Sequence, residues 1–221
     1  MKLTHYINES NVSAAQEGKK ISNSIMKKLF EKLKNRSFVY GSTWDLIQDL
    51  NQISPKKVRF SRNTHKLSLG RFLSYATYDL LHPKIEIEVN PKTDEYFRRF
   101  AKEKSQKFFF DSKKNQFYKE LYEILSHEIV HKIQHTKAGR LEPFKENVDD
   151  ESEGGYVSAQ VEIDAFALQA ALEIIHGDRS AIWDTYSGHK AKGEITSKVY
   201  NKFMKKVYTN IRELKKLGMT Q

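Results

Sequence analysis

Cysteine is absent from the 221 residues. Disulfides and thiolate metal sites are thereby both excluded, and any bound metal must be held by imidazole and carboxylate. Low-complexity tracts and internal repeats are missing too, and no apolar run approaches the length of a membrane span. The first twenty residues, MKLTHYINESNVSAAQEGKK, contain no apolar core of the signal-peptide kind. A protein with no membrane partner, located in the cytoplasm, is the expectation. With 38% hydrophobic residues, the chain suits one globular domain over 1–221, with a helical part at 1–55, a sheet and site-bearing core at 56–176 and a basic helix at 177–221.

What is present is charge, unevenly placed. The formal net charge is +10, yet residues 145–164 carry seven acids against one lysine, whereas 188–221 carry nine Lys/Arg against two Glu. A basic tail can attract nucleic acid, although regularly spaced lysines more often mark a solvated helix face. The acidic loop at 145–155 could serve as a lid, but a solvated loop is the simpler reading.

Hydrophobic periodicity predicts a helix over 11–35, with Ile21, Ile25, Leu29 and Leu33 at four-residue spacing, and a short helix over 43–53 that stops before Pro55. Segments 58–61, 66–69 and 84–91 read as strands of a small, half-solvated sheet; the last alternates Ile85, Ile87 and Val89 with Glu86 and Glu88. Phe108 to Phe110 read as a short strand or a buried loop anchor. A helix over 113–135, capped by Ser112, carries Phe117, Leu121, Ile124 and Leu125. An irregular loop over 136–155 precedes an alanine-rich helix over 158–176 with Ser158 as cap, a buried stripe of Ala165, Leu168, Leu172 and Ile175, and Gly177 as its stop. Residues 194–217 form a last amphipathic helix with Ile195, Val199, Phe203, Val207 and Ile211 spaced by four.

The chemistry centres on His127-Glu128-Ile129-Val130-His131, an HExxH pattern. On a helix, positions four apart share a face, so both imidazoles can reach one ion, while Glu128 stands beside it as a base for water rather than a ligand. Eight His and eighteen Glu would produce this pattern by chance in roughly 2% of such sequences. Here it falls where periodicity independently predicts a helix, and Ile129 and Val130 fill it as a buried helix requires.

Catalytic zinc takes three protein ligands plus water, so two imidazoles need a third partner. Glu162 is the first choice, because a carboxylate entering the apolar IDAFALQAALEII stretch needs a charged partner to offset its desolvation. Asp164 is the rival; it points to a different side of the helix and could instead orient a ligand histidine through its ring N–H. The plainer reading of both is ordinary placement of acids near a helix start. For stabilising an oxyanion, Tyr156 comes first, followed by Tyr186 and His189, although each alone is more readily explained by packing. His135 falls off the ligand face, and His5, His65, His82 and His176 lack a motif.

HEIVH followed by a downstream helical glutamate resembles the gluzincin pattern, and residues 156–174 resemble a stretch in uncharacterised zincin-like proteins encoded by bacteriophages; the similarity covers about 113–175. The resemblance implies an α+β, zincin-like fold, with a small, mostly antiparallel sheet over the HExxH helix and the glutamate-bearing helix, flanked by N- and C-terminal helices. It also implies that Ile85–Val89 is an edge strand to which an extended peptide could pair, and that a phage-encoded chain would work in the host cytoplasm. Two positions depart from better-known members: Phe166 stands where gluzincins often carry an aspartate, and Gln134 where metzincins carry a glycine.

The expected function is that of a zinc metallopeptidase. His127, His131 and Glu162 would bind Zn2+, and Glu128 would take a proton from water and return it to the leaving amine of a peptide or protein substrate. Two other classes are weighed beside it. One is a nucleic-acid-associated protein using its basic helices for weak, salt-sensitive binding; the other is an inactive interaction protein on a zincin scaffold, against which the intact Glu128 argues.

Overall fold

A computed structural model of the chain describes residues 3–34, 42–62, 72–79, 83–90, 116–138 and 159–219. Among them the elements run α1 (Leu3–Lys34), α2 (Thr43–Ile53), β1 (Val58–Arg62), β2 (Leu73–Asp79), β3 (Lys84–Val89), α3 (Gln116–Ala138), α4 (Gln160–Ile175), α5 (Ala181–Ala191) and α6 (Ser197–Lys216). The class is α+β, as expected. The chain forms two compact units, one of Gly18–Leu125 and one of Met1–Glu17 with Ser126–Gln221. No described helix is long and apolar enough to cross a membrane.

In the unit Gly18–Leu125, helix α2 begins where Ser42 accepts a hydrogen bond from the Asp45 N–H, and it buries Leu46, Ile47 and Leu50. Its Asn51 clips β1 on both sides of one residue: the side-chain amide donates to Phe60 O at 2.8 Å, and Phe60 N–H donates back to Asn51 Oδ1 at 2.7 Å. The sheet order is β1-β3-β2, with β1 parallel and β2 antiparallel to β3. Ile85, Ile87 and Val89 are buried while Glu86 and Glu88 are half-buried, which is the alternation read in the sequence.

Two expectations about this sheet are corrected. It is mixed rather than mostly antiparallel, and Ile85–Val89 is its central strand, hydrogen-bonded on both sides, so it offers no edge to a peptide. Its three inward aliphatic residues fit this position, since a central strand buries more than an edge does. Strand β2 was not foreseen, and the strand expected at 66–69, the cap Ser112 and Phe108 to Phe110 lie outside the described residues. Glu120 of α3, 5% exposed, accepts both the Phe72 and Leu73 N–H groups at 2.7 and 2.9 Å and so fixes the start of β2.

In the other unit, α4 packs along α6 and α5. Its small residues permit the close approach: Ala165, Ala167, Ala170 and Ala171 are fully buried with Leu168 and Leu172. The helix ends as expected at Gly177, whose positive φ of 77° lets Asp178 N–H reach back to Glu173 O at 3.0 Å. Helix α5 was not foreseen; Ser180 caps it by accepting from Trp183 N–H, while donating to the buried Glu173 carboxylate at 2.6 Å. Thr196 caps α6. The buried stripe of α6 is Phe203, Val207, Asn210 and Leu214, with Val199 and Ile211 only half-buried. A strict spacing of four drifts around a helix of 3.6 residues per turn, so a face stays buried only when steps of three and four alternate.

Candidate metal centre

Helix α3 presents the HExxH residues because its surroundings leave it little solvent. Leu125, Ser126, Ile129 and Val130 are fully buried, and His127 and Glu128 are 7% and 6% exposed. Lys132, one residue past the motif, pairs with Glu17 of α1 at 3.2 Å and keeps its charge on a half-exposed side. Consecutive burial through 120–130 means that the polar groups of this stretch must find partners inside the protein.

The structure brings together the three residues named as ligands. His127 Nε2 and His131 Nε2 are 3.1 Å apart, and Glu162 Oε2, from the first turn of α4, lies 3.5 Å from His131 Nε2 and 3.9 Å from His127 Nε2. Three ligand atoms on a tetrahedral zinc with bonds of about 2.1 Å would stand about 3.4 Å from one another. The observed separations bracket that value, and the three side chains form a group able to hold a metal ion. A second observation fits the same use. Among the described residues, the buried Glu162 Oε2 has no hydrogen-bond partner, a costly state for a carboxylate oxygen unless a cation shares the space.

Asp164 is placed differently. Residues two apart on a helix point about 200° apart, and Asp164 faces α6, where it pairs with Lys206 Nζ and accepts from Gln160 Nε2 at 3.1 Å. Among the described residues it is not in the group able to hold a metal, and it does not take the orienting place beside the ring of His127 or His131. That orienting place is held by Gln134, which sits 3.2 Å from His131 Nδ1 through Oε1 and donates through Nε2 to the Val161 carbonyl, also at 3.2 Å. Sequence reasoning met Gln134 only as a missing glycine. The available signal was its position three residues after His131, on the same helical face.

The two imidazoles differ in electrostatics. Burial pushes His127 well below the ordinary imidazole value, the neighbouring His131 pushes the same way, and Gln169 opposes them. Among the described residues, the buried His127 Nδ1 has no hydrogen-bond partner of normal geometry. Burial also lowers His131, but the Glu162 carboxylate, the charge of Glu128 and the contact with Gln134 together outweigh it and hold this ring above its ordinary value. An aromatic row backs His127: Phe166 meets its ring in a T-shaped contact at 4.7 Å between centroids, and Tyr186 follows Phe166 at 6.2 Å.

The residues considered for the oxyanion separate further. Tyr156 lies outside the described residues. Tyr186 is 1% exposed and stacked face to face on Phe203 at 3.8 Å, a core position. His189, also buried, is bound through Nδ1 to Glu194 Oε2 at 2.5 Å. On the basic helix, Lys198, Lys202, Lys205, Arg212, Lys215 and Lys216 are exposed, while Lys206 is turned inward to Asp164. The chain matches no protein-family model, no curated protein and no solved structure.

Proposed function

We propose that the protein is a zinc-dependent hydrolase, a metallopeptidase in which His127, His131 and Glu162 hold the ion and Glu128 handles the proton. The observation that carries this reading is the convergence, in a buried place, of two imidazole nitrogens and one carboxylate oxygen that has no hydrogen-bond partner among the described residues, at 3.1, 3.5 and 3.9 Å. A zinc ion bound there would supply a Lewis acid that acidifies water and polarises a carbonyl.

The chain's own residues do the rest. His127 is wedged against Phe166 and kept neutral by burial, so its nitrogen is available as a donor without first losing a proton. Glu162 brings a negative charge to the pair, which offsets part of the dication's charge and favours capture of the ion over two neutral rings alone. Glu128, next to His127 in sequence and with a charge that raises the His131 pKa, would accept a proton from the attacking water and pass it to the departing amine. No covalent intermediate with the protein is required. Peptide bonds suit this arrangement because the leaving amine must be protonated as it departs, and the same carboxylate can do so.

The test is cleavage of a mixed peptide library by zinc-loaded protein, read by mass spectrometry, beside Glu128→Gln. Cleavage by the wild type and a loss of about a thousandfold or more in the variant, with zinc retained in both, is the expected result. Equal cleavage by both proteins, or none by a wild type that holds zinc, would remove the peptidase reading.

A further inference from the structure

Gln134 makes two contacts that settle each other. A side-chain amide can be turned either way, but the Val161 carbonyl can only accept, so the nitrogen of Gln134 must face it and Oε1 must face His131. That oxygen in turn can only accept, so His131 Nδ1 must carry a hydrogen. A neutral imidazole has one hydrogen and one lone pair, and the lone pair of His131 is therefore on Nε2, the atom that faces His127 Nε2 at 3.1 Å and Glu162 Oε2 at 3.5 Å.

We propose that Gln134 is a positioning residue: it fixes His131 as the Nδ1–H form with Nε2 aimed at the ligand cluster, and it anchors that ring to the backbone of α4 one residue before Glu162. The proposal rests on the metal-centre reading for its purpose, but the tautomer it specifies belongs to the metal-free protein as well. One amide thus sets both the ring's proton and the relation between the two ligand-bearing helices. Among the described residues, His127 Nδ1 has no such hydrogen bond, and its ring packs against Phe166. The site is therefore asymmetric, with one histidine positioned by hydrogen bonding and the other by packing. Outer groups of the first kind are worth about 10–100-fold in metal affinity.

Two variants separate positioning from simple helix-to-helix attachment. Gln134→Leu loses both contacts, whereas Gln134→Glu keeps an acceptor for His131 Nδ1–H and loses the donor to Val161. Zinc affinity is measured by competition with a chromophoric chelator, circular dichroism confirms folding, and long-range 1H–15N spectra of metal-free protein, recorded where the ring is neutral, report the His131 tautomer. The expected result is Nδ1–H in the wild type, a rise of the Nε2–H form and about 10–100-fold weaker zinc binding in Gln134→Leu, and affinity within about threefold of wild type in Gln134→Glu. Nε2–H in the wild type, unchanged affinity in Gln134→Leu, or equal losses in both variants would overturn the proposal. A wild type that takes up no zinc would instead overturn the metal-centre reading, and the spectrum would still decide alone whether Gln134 sets the tautomer.

Discussion

Glu162 and Asp164 stand two residues apart on α4, both buried, and they meet different partners. Asp164 faces α6 and is neutralised by the ammonium of Lys206, with Gln160 as a second donor. Glu162 faces α3, where its neighbours are two imidazoles and, among the described residues, one of its oxygens has no hydrogen bond. A buried carboxylate with a fixed cation is a structural element, whereas one with only titratable rings around it is incomplete until a cation arrives. The difference follows from helical geometry: at about 100° per residue, a step of two carries a side chain to the far side of the helix.

The largest effect that could break this comparison is on metal affinity. Glu162→Ala is expected to weaken zinc binding by about a thousandfold, or ~4 kcal/mol, in a chelator-competition titration, while Asp164→Ala keeps its affinity. Next in size is the stability that Asp164 and Lys206 share. Lys206→Met strands a buried carboxylate and should cost ~3 kcal/mol in urea unfolding of the metal-free protein, without changing zinc affinity. Asp164→Ala should cost less, ~2 kcal/mol, because the freed ammonium, whose side chain is 20% exposed, can reach water.

Proton behaviour sharpens the same contrast. Because Glu162 holds His131 above its ordinary value, this ring stays protonated at a higher pH than a free imidazole, and zinc affinity should rise with pH until that proton is gone. His127, pushed well below the ordinary value, adds no second proton to release at neutral pH. In metal-free protein followed by NMR, Glu162→Gln should move the His131 midpoint down and Asp164→Asn should leave it in place; the reverse pattern would mean that the wrong carboxylate has been assigned to the rings. The raised value also stabilises the fold at low pH, a contribution lost as pH rises through the His131 midpoint, and Glu162→Gln should abolish it. The smallest effect is Gln160→Ala, expected to cost ~1 kcal/mol through the lost hydrogen bond to Asp164, again with zinc binding intact.

Much of this was legible from local pattern. The HExxH segment declares a face because its spacing equals a helical turn, and Glu162 draws attention because a charge entering an apolar helix needs a partner. The helices α2, α3 and α4 follow from periodicity and, for the end of α4, from Gly177, all local signals; the expected cap Ser158 does not hold, because Ala159 stands at the start of α4 without a side-chain cap. What could not be read depends on residues distant in sequence. Lys206, 42 residues after Asp164, is one of several lysines on an amphipathic helix, and only the packing of α4 along α6 selects it. Strand order is likewise a matter of long-range pairing, so Ile85–Val89 could be recognised as a strand but not placed at the sheet's centre. β2 escaped because LSYATYD mixes polar and aromatic residues without a clean alternation, and α5 because Gly188 and Ser187 dilute its helical pattern. Gln134 was visible but mute, since an amide becomes informative only when its two partners are known.

The central claim is that Glu162, and not Asp164, completes a metal site with His127 and His131. Elemental analysis of the wild type, His127→Ala, Glu162→Ala and Asp164→Ala proteins, each reloaded with zinc and desalted, tests it most directly. The account predicts about one zinc per chain in the wild type and Asp164→Ala, and little or none in the other two. A wild type without zinc, or zinc retained by Glu162→Ala and lost from Asp164→Ala, would contradict it.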